Sequence, residues 1–307
     1  MNSTGGAGPR ALIVGAFGQL GVELQRSFAG PGALVAGGRE VADLGSPDAI
    51  RELVRRVRPE VILNAAAYTA VDRAESEPTV AAAINARAPR ILAEEARESG
   101  ALLVHYSTDY VFDGTKDAAW TESDVPHPLN VYGASKLAGE EAIRQVGGRF
   151  LIFRTSWVYG PHGKNFLLTM LRLGRERARL SVVDDQFGAP TSVMELARAT
   201  RGIVDGVLAG RFGADEEWSG LYHMTCGGST TWCGFAQAIF VRAEKLLDGR
   251  TPEVAPIPSS EYPLPARRPR NSVLSNARLK ERFDVELAPW ETALDEAIAV
   301  LDEKRAG

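Results

Sequence analysis

The sequence predicts an α/β protein built on a doubly wound parallel sheet, and three observations lead to this prediction. Short apolar runs at 11–15, 61–63, 101–106 and 150–153 are typical of strands that are buried on both faces. Helical patterns at 48–57, 78–99 and 131–146 lie between them, so strands and helices alternate along the chain. This alternation loosens after residue 180, which predicts a smaller C-terminal α/β lobe.

The first strand leads into a glycine-rich turn and then into a helical pattern with Leu20, Leu24 and Phe28 on one face. In this context Gly15 allows a tight turn, Gly18 lets backbone N–H groups approach a pyrophosphate, and Gly21 permits close packing of helix on strand. The sequence therefore predicts a Rossmann-type dinucleotide site at the first crevice of the sheet. The alternative is a plain turn with spare glycines.

The second strand, predicted at 33–36, is followed by Arg39. An arginine at this point can accommodate a 2′-phosphate, where an acidic residue would instead bind the ribose hydroxyls of NAD. Arg39 therefore favours NADPH, although it could equally be a solvated surface residue. Asp43 and Leu44 lie just beyond, where they could border the adenine.

Small residues close the third predicted strand, in the run Asn64-Ala65-Ala66-Ala67-Tyr68. They suit a surface that a flat cofactor approaches closely at the carboxyl end of a strand. Helix–sheet packing would explain the alanines equally well.

Tyr132 and Lys136 are four residues apart at the start of the helix predicted at 131–146, so they share one face. An ammonium group beside a phenol favours the phenolate, and we expect it to lower the pKa of Tyr132 from about 10. The pair could then exchange a proton near neutral pH. Taken alone, Y-x-x-x-K is more often a surface pair.

The composition limits the partners of the chain. The 307 residues carry a formal net charge of -4, which argues against nucleic acid, and no apolar run reaches the ~18 residues of a membrane span. Cys226 and Cys233 lack a histidine ligand pattern, so we expect neither a disulfide framework nor a metal site, and a cytoplasmic location. The expected organisation is a disordered leader (1–10), a dinucleotide-binding domain (11–183), and a region that is mainly a sugar-nucleotide-binding lobe (184–307).

Several runs resemble one family. The glycine turn, Asn64 to Ala67, Ser107-Thr108-Asp109 and Tyr132-x-x-x-Lys136 appear in the order of the extended short-chain dehydrogenase/reductase superfamily. The runs at 71–75, 107–114, 129–139, 153–160, 184–191 and 268–272 resemble, more closely, the dTDP-4-dehydrorhamnose reductases within it.

The resemblance implies a role for each matching residue. Thr108, Tyr132 and Lys136 would be the catalytic group: Tyr132 is the acid/base, Lys136 lowers its pKa and binds the nicotinamide ribose, and Thr108 holds the substrate carbonyl oxygen. The implied cofactor contacts are Gly15, Gly18, Gln19, Leu20, Gly21, Arg39, Asp43, Leu44, Ala65, Ala66, Ala67, Tyr68, Tyr132 and Lys136. The implied substrate contacts are Val71, Thr108, Asp109, Tyr110, Tyr132, Trp157, Asn165 and Arg268.

Tyr110 separates this chain from related enzymes of the superfamily. Sugar-nucleotide 4,6-dehydratases carry an Asp-Glu pair after the threonine of this turn, whereas Thr108-Asp109 is followed here by an aromatic residue. Without the second carboxylate the elimination step loses its base, so dehydration is disfavoured.

Two further features follow the catalytic motif. Trp157 comes at the end of a predicted strand, where it could contact a sugar or a thymine, or could be a core aromatic residue. Arg267, Arg268 and Arg270 could bind a nucleotide diphosphate or form a solvated basic edge. The remaining predictions are helices at 193–208, 231–247 and 290–304, a strand at 221–224 and extended chain at 252–269.

The expected activity is NAD(P)H-dependent reduction of the C4 keto group of dTDP-4-dehydro-6-deoxy-L-mannose to dTDP-L-rhamnose. NADPH is the expected cofactor. The sequence does not decide whether NADH is also used or whether the chain forms a homodimer. One alternative is a non-catalytic regulatory or scaffold protein of the same fold. Another is a reductase of a related dTDP-4-keto-6-deoxy sugar.

Overall fold

The structure, a computed structural model, describes residues 8–30, 32, 34–38 and 43–306. Its strands in chain order are β1 (Ala11–Val14), β2 (Leu34–Gly37), β3 (Val61–Asn64), β4 (Leu102–Thr108), β5 (Phe150–Thr155), β6 (Val158–Tyr159), β7 (Arg179–Val183), β8 (Phe187–Gly188), β9 (Thr191–Ser192), β10 (Gly220–His223), β11 (Thr230–Thr231) and β12 (Glu253–Ile257). Six of them form one parallel sheet in the order β10-β5-β4-β3-β1-β2. This arrangement confirms the predicted doubly wound α/β class.

Helices cover both faces of this sheet. They are α1 (Gln19–Phe28), α2 (Pro47–Val57), α3 (Val71–Ala74), α4 (Pro78–Ala82), α5 (Ala88–Ser99), α6 (Val131–Val146), α7 (Phe166–Glu176), α8 (Val193–Leu208), α9 (Asp215–Trp218), α10 (Trp232–Arg242), α11 (Ala277–Phe283) and α12 (Trp290–Ala306). A π-helical turn, Ala83–Arg87, joins α4 to α5, and short 3-10 turns lie at Asp109–Val111, Lys245–Leu247 and Ser259–Glu261.

Two cores bury the apolar faces of these layers. One contains Leu24 of α1 and Val204 of α8, and the other contains Leu53 of α2, Ile91 of α5 and Ile143 of α6. Their burial on opposite sides of the sheet explains why β1, β3 and β4 read as continuous apolar runs. No helix in the described ranges is both long enough and apolar enough to cross a membrane.

The structure adds detail to three predictions for the region after residue 183. The strand predicted at 221–224 is β10, which pairs with β5 and completes the central sheet. The helix predicted at 231–247 ends at Arg242 and is followed by a 3-10 turn. The extended chain at 252–269 contains β12, which pairs with β7. Of the earlier predictions, Arg39, residue 33 and residues 1–7 of the leader lie outside the described residues.

Candidate active site

The glycine turn after β1 packs directly against the loop after β3. Gly15 has a φ of +82°, a region that favours glycine, and a Cβ there would lie 2.6 Å from the Ala66 nitrogen. At Gly21 a Cβ would lie 2.2 Å from the Gly15 oxygen. These contacts give the physical reason for both glycines, and they bring the loop of Ala65, Ala66 and Ala67 beside the turn.

The first turn of α1 is open to an anion. Its N-cap residue is Gly18, which has no side chain to bond the N–H groups that follow at Gln19, Leu20 and Gly21. Free donors and the positive end of the helix dipole suit a pyrophosphate, so this part of the chain fits a dinucleotide. The Gln19 side chain faces a different partner, since Asn165 Nδ2 donates to its Oε1 over 2.7 Å.

The other predicted cofactor contacts lie around this turn. The Asp43 carboxylate accepts a hydrogen bond from the Gly45 nitrogen at 2.9 Å, and Leu44 packs against the core. The backbone of Tyr68 is held at both its polar atoms by the Asn85 side chain, at 2.8 and 3.1 Å. Asn85 lies on the π-helical turn and also donates to Ser135 of α6 over 2.9 Å. The cofactor loop and the catalytic helix are therefore tied to each other.

The start of α6 places Tyr132 beside the end of β4. Asn130 caps the helix by accepting from the Gly133 nitrogen at 2.8 Å, and its amide donates to the Arg267 oxygen at 2.8 Å. A Cβ at Gly133 would lie 2.2 Å from the Tyr110 oxygen, so only glycine permits this close approach.

Thr108 links Tyr132 to Asp109. The Thr108 hydroxyl donates to Asp109 Oδ1 at 2.9 Å and accepts from the Tyr110 nitrogen at 3.2 Å, and it lies close enough to the Tyr132 hydroxyl to lower the pKa of Tyr132. Asp109 is 2% exposed, and its Oδ2 has no hydrogen-bond partner in the described part of the chain. Burial raises the pKa of Asp109 to about 6, against smaller lowering effects of the Ser272 and Thr108 hydroxyls.

Lys136 is buried one turn further along α6. Its Nζ donates to the Tyr106 oxygen at 2.6 Å and lies 3.1 Å from His105 Nε2. Burial lowers the pKa of Lys136 to about 8, although the Glu140 carboxylate raises it.

The expected lowering of the Tyr132 pKa is wrong for the chain without ligands. Burial raises the pKa of Tyr132 to about 12, with the neighbouring Thr108 hydroxyl lowering it and the Asp109 charge raising it. Lys136 Nζ contacts Tyr106 and His105 instead. Tyr132 is therefore a phenol, ready to give up a proton, across the neutral range.

A salt bridge holds the arginine cluster next to the catalytic group. Both Nη atoms of Arg268 bind the Asp72 carboxylate, at 3.0 and 2.8 Å, next to Val71 at the start of α3. Arg268 and Asp72 also act on the pKa of Tyr110, whose ring packs edge-on against Tyr132 with centroids 5.7 Å apart. Arg270 instead pairs with the exposed Asp117.

Trp157 stands in the left-handed region, with a φ of +46°. A bulky residue seldom adopts this backbone conformation, which typically costs about 1–3 kcal/mol. Its ring stacks on Trp232 with centroids 3.6 Å apart and planes 8° apart, and a Cβ at Gly188 would lie 2.4 Å from it. Trp157 is only partly exposed, because Trp232 covers one face of its ring and Gly188 lies close to the ring as well, but it is not a fully buried core residue.

Asn165 has its hydrogen-bonding groups engaged by the protein. It caps α7 by accepting from the Leu168 nitrogen at 2.9 Å, and its Nδ2 lies within 2.7 to 3.1 Å of Gln19, Gly160 and His162 oxygens. These contacts favour a structural role, and a substrate contact of Asn165 stays a prediction.

Sequence patterns alone did not identify four buried polar residues behind the site. His105 contacts both Asn64 and Lys136, and Glu140 pairs with Arg154. The available signal was a polar residue inside an apolar strand or on the inner face of a helix, because buried polar groups need partners. Within the described ranges there is no group of three or more His, Cys, Asp or Glu side chains suited to a metal ion.

Comparisons with known proteins agree with this geometry. Residues 9–303 match the family model described as RmlD substrate binding domain. A dTDP-4-dehydrorhamnose reductase of Burkholderia thailandensis is 49% identical over 93% of this chain and 96% of its own length, and one of Salmonella typhimurium is 47% identical over 91% and 94%. The crystal structure of dTDP-4-dehydrorhamnose reductase from Bacillus anthracis in complex with NADP superposes with a TM-score of 0.86, at 35% identity, over 94% of this chain and 98% of the other. The chain belongs to the RmlD substrate binding domain family, as the motifs of the sequence predicted.

Proposed function

We propose that the protein reduces the C4 keto group of dTDP-4-dehydro-6-deoxy-L-mannose to give dTDP-L-rhamnose. NADPH is the proposed cofactor, with NADH as a second donor. The observation that carries the proposal is the placement of Thr108 and Tyr132 side by side, next to a buried Lys136 and a turn that fits a dinucleotide. The names of the curated relatives and the NADP-bound neighbour support the same activity.

Each residue of the catalytic group would have one task. When bound, the reduced nicotinamide supplies a hydride to the carbonyl carbon of the sugar. Thr108 orients the carbonyl oxygen, and Tyr132 donates its proton to that oxygen as negative charge develops there. Lys136 supports the phenolate that remains, because it is a cation in a site of low dielectric constant.

The substrate would lie between the catalytic group and the region at 184–307. Asp109 and Tyr110 border Tyr132, while the partly exposed indole of Trp157 is the candidate for an aromatic contact. Arg268 is the candidate for the diphosphate, provided that it leaves or shares its salt bridge with Asp72. We also propose a homodimer, and a cytoplasmic location that is supported by two free cysteines.

One assay tests the activity directly. The purified chain is mixed with NADPH or NADH and a panel of 4-keto-6-deoxy sugar nucleotides, and cofactor oxidation is followed by absorbance. We expect oxidation with the dTDP-linked L-sugar and a product with the L-rhamnose configuration by NMR. Oxidation with another 4-keto sugar alone would indicate a related reductase, and the absence of oxidation across the panel would contradict the proposal.

A further inference from the structure

His105 connects Lys136 to the loop that borders the cofactor turn. It lies within β4, is fully buried, and has a polar neighbour at each ring nitrogen. Nδ1 lies 3.0 Å from Asn64 Nδ2, and Nε2 lies 3.1 Å from Lys136 Nζ. Asn64 and His105 are register partners on adjacent strands, so the sheet itself fixes this contact.

The orientation of Asn64 determines where the proton of the imidazole lies. Asn64 Oδ1 accepts a hydrogen bond from the Ala66 nitrogen at 3.3 Å, so the amide turns its NH₂ group towards His105. His105 Nδ1 therefore acts as an acceptor. A neutral imidazole has one N–H, which must then be on Nε2, the nitrogen that faces Lys136. Burial and the nearby Lys136 keep the pKa of His105 well below its ordinary value, so the ring is neutral.

This tautomer is compatible with only one form of Lys136. An Nε2–H donor cannot hydrogen-bond to an ammonium group, which has donors alone, whereas an uncharged amine can accept from it. The other neighbours of Lys136 affect its protonation differently. The Tyr106 oxygen accepts a hydrogen bond from Nζ in either form, whereas the Glu140 carboxylate favours the ammonium. That carboxylate is already paired with Arg154 of β5, which limits its effect.

We propose that Asn64 and His105 are positioning residues that weaken proton binding by Lys136, and that the tautomer of His105 changes with the charge of Lys136. When Lys136 is protonated, Nζ gains one proton from solvent and the imidazole keeps its single proton, which then lies on Nδ1. Asn64 must turn its oxygen towards His105 to accept that proton, which releases the Ala66 N–H in the cofactor loop. The charge of Lys136 is thus coupled to the loop that approaches the cofactor.

The first test needs no substrate. Long-range ¹H–¹⁵N NMR of the full chain reports the tautomer of each of its four histidines, and the His105 signals are assigned by their loss in His105→Gln. We expect the Nε2–H tautomer at alkaline pH and the Nδ1–H tautomer at acidic pH, with the midpoint at which the Lys136 ¹³Cε signal titrates. A single tautomer of His105 throughout that titration would overturn the proposal.

A second test uses turnover, and in this respect the inference rests on the proposed function. In His105→Gln the amide oxygen can accept from the ammonium, so the alkaline limb of kcat/KM should move up by about one pH unit. The matched control is His223→Gln, which removes another fully buried histidine that bonds to Trp120 instead, and its limb should stay in place. If the alkaline limb of kcat/KM has the same midpoint in His105→Gln and His223→Gln while NADPH binding is intact, the proposal is contradicted. If no keto sugar is reduced, the proposed function fails, while the NMR titration still decides the role of His105.

Discussion

Arg154 Nε and Nη2 bind the two oxygens of Glu140 at 2.9 and 2.6 Å in the interior of the protein. The two side chains are 2% and 1% exposed, and the Ser107 hydroxyl donates to the same carboxylate. This pair joins β5 to the helix that carries Tyr132 and Lys136. It therefore holds the catalytic helix at a fixed height above the sheet.

Glu140→Gln should strongly destabilise the protein, because it leaves the Arg154 charge buried without a counter-ion. Breaking one side of a buried pair typically costs about 3–5 kcal/mol of unfolding free energy. Urea unfolding followed by circular dichroism measures the change. Glu176→Gln serves as the control, since its pair with Arg172 is exposed and such pairs contribute only about 0.3–0.5 kcal/mol. Similar losses in both variants would show that the buried pair has no special role.

Asp109→Asn should stabilise the protein at neutral pH but not in mild acid. The pKa of Asp109 is raised to about 6, so the folded state binds its proton more tightly than the unfolded chain does. This carboxyl group therefore favours the folded state most below pH ~4, and the advantage is lost as the pH rises through about 6. The asparagine variant avoids that loss, which is on the order of 2 kcal/mol at pH 7.

The change in stability is measured by thermal unfolding of the unchanged protein and of Asp109→Asn at pH 4.5 and pH 7.5, roughly on either side of the raised pKa of Asp109. Asp113→Asn is the matched control, because hydrogen bonds from Thr115 lower the pKa of Asp113 and its ionised form favours the folded state. We expect opposite signs for the two variants at pH 7.5. If Asp109→Asn raises the thermal stability equally at both pH values, the effect does not come from ionisation of Asp109.

Tyr132→Phe should lower kcat by about 10² to 10⁴, the usual contribution of a general acid. The variant removes the hydroxyl next to Thr108 and leaves the ring that packs against Tyr110. NADPH binding, measured by fluorescence titration, should therefore change little. Tyr262→Phe is the control, because Tyr262 is exposed and lies far along the chain from the catalytic group. Full turnover by Tyr132→Phe would contradict the assignment of the acid.

The sequence predicted the elements that depend on local patterns. Helix α6 has the predicted bounds because Asn130 caps its first turn and Gly147 follows its last residue. The glycine turn was equally predictable, since strand, turn and helix are adjacent in the chain. The pairing of β10 with β5 was not predictable, because strand pairing depends on the packing of distant segments.

The electrostatics of the site needed the three-dimensional contacts. The spacing of Tyr132 and Lys136 correctly suggested a shared helix face, but Lys136 Nζ is held by groups of β4 that spacing does not reveal. Burial then decides the sign of the pKa shift of Tyr132. For the same reason His105 was read as part of an apolar strand, and not as a neighbour of the catalytic lysine.

Gly188→Ala should weaken use of the keto sugar without affecting the cofactor. The added Cβ would lie 2.4 Å from Cε2 of Trp157, so the indole must move from its stack on Trp232. If the Trp157 indole contacts the sugar nucleotide, we expect KM for the keto sugar to rise by about tenfold, the equivalent of about 1.4 kcal/mol. The Kd for NADPH should stay the same, because the glycine turn and α1 are untouched.

Gly202→Ala is the matched control for this substitution. Gly202 lies within α8, an added Cβ there meets nothing within 4 Å, and alanine should raise helix stability by roughly 0.5–1 kcal/mol. Near-ultraviolet circular dichroism reports the Trp157–Trp232 stack and should change only in Gly188→Ala. A disrupted stack with an unchanged KM would show that Trp157 does not contact the substrate, even though its strained backbone and partly exposed side chain favour such a contact.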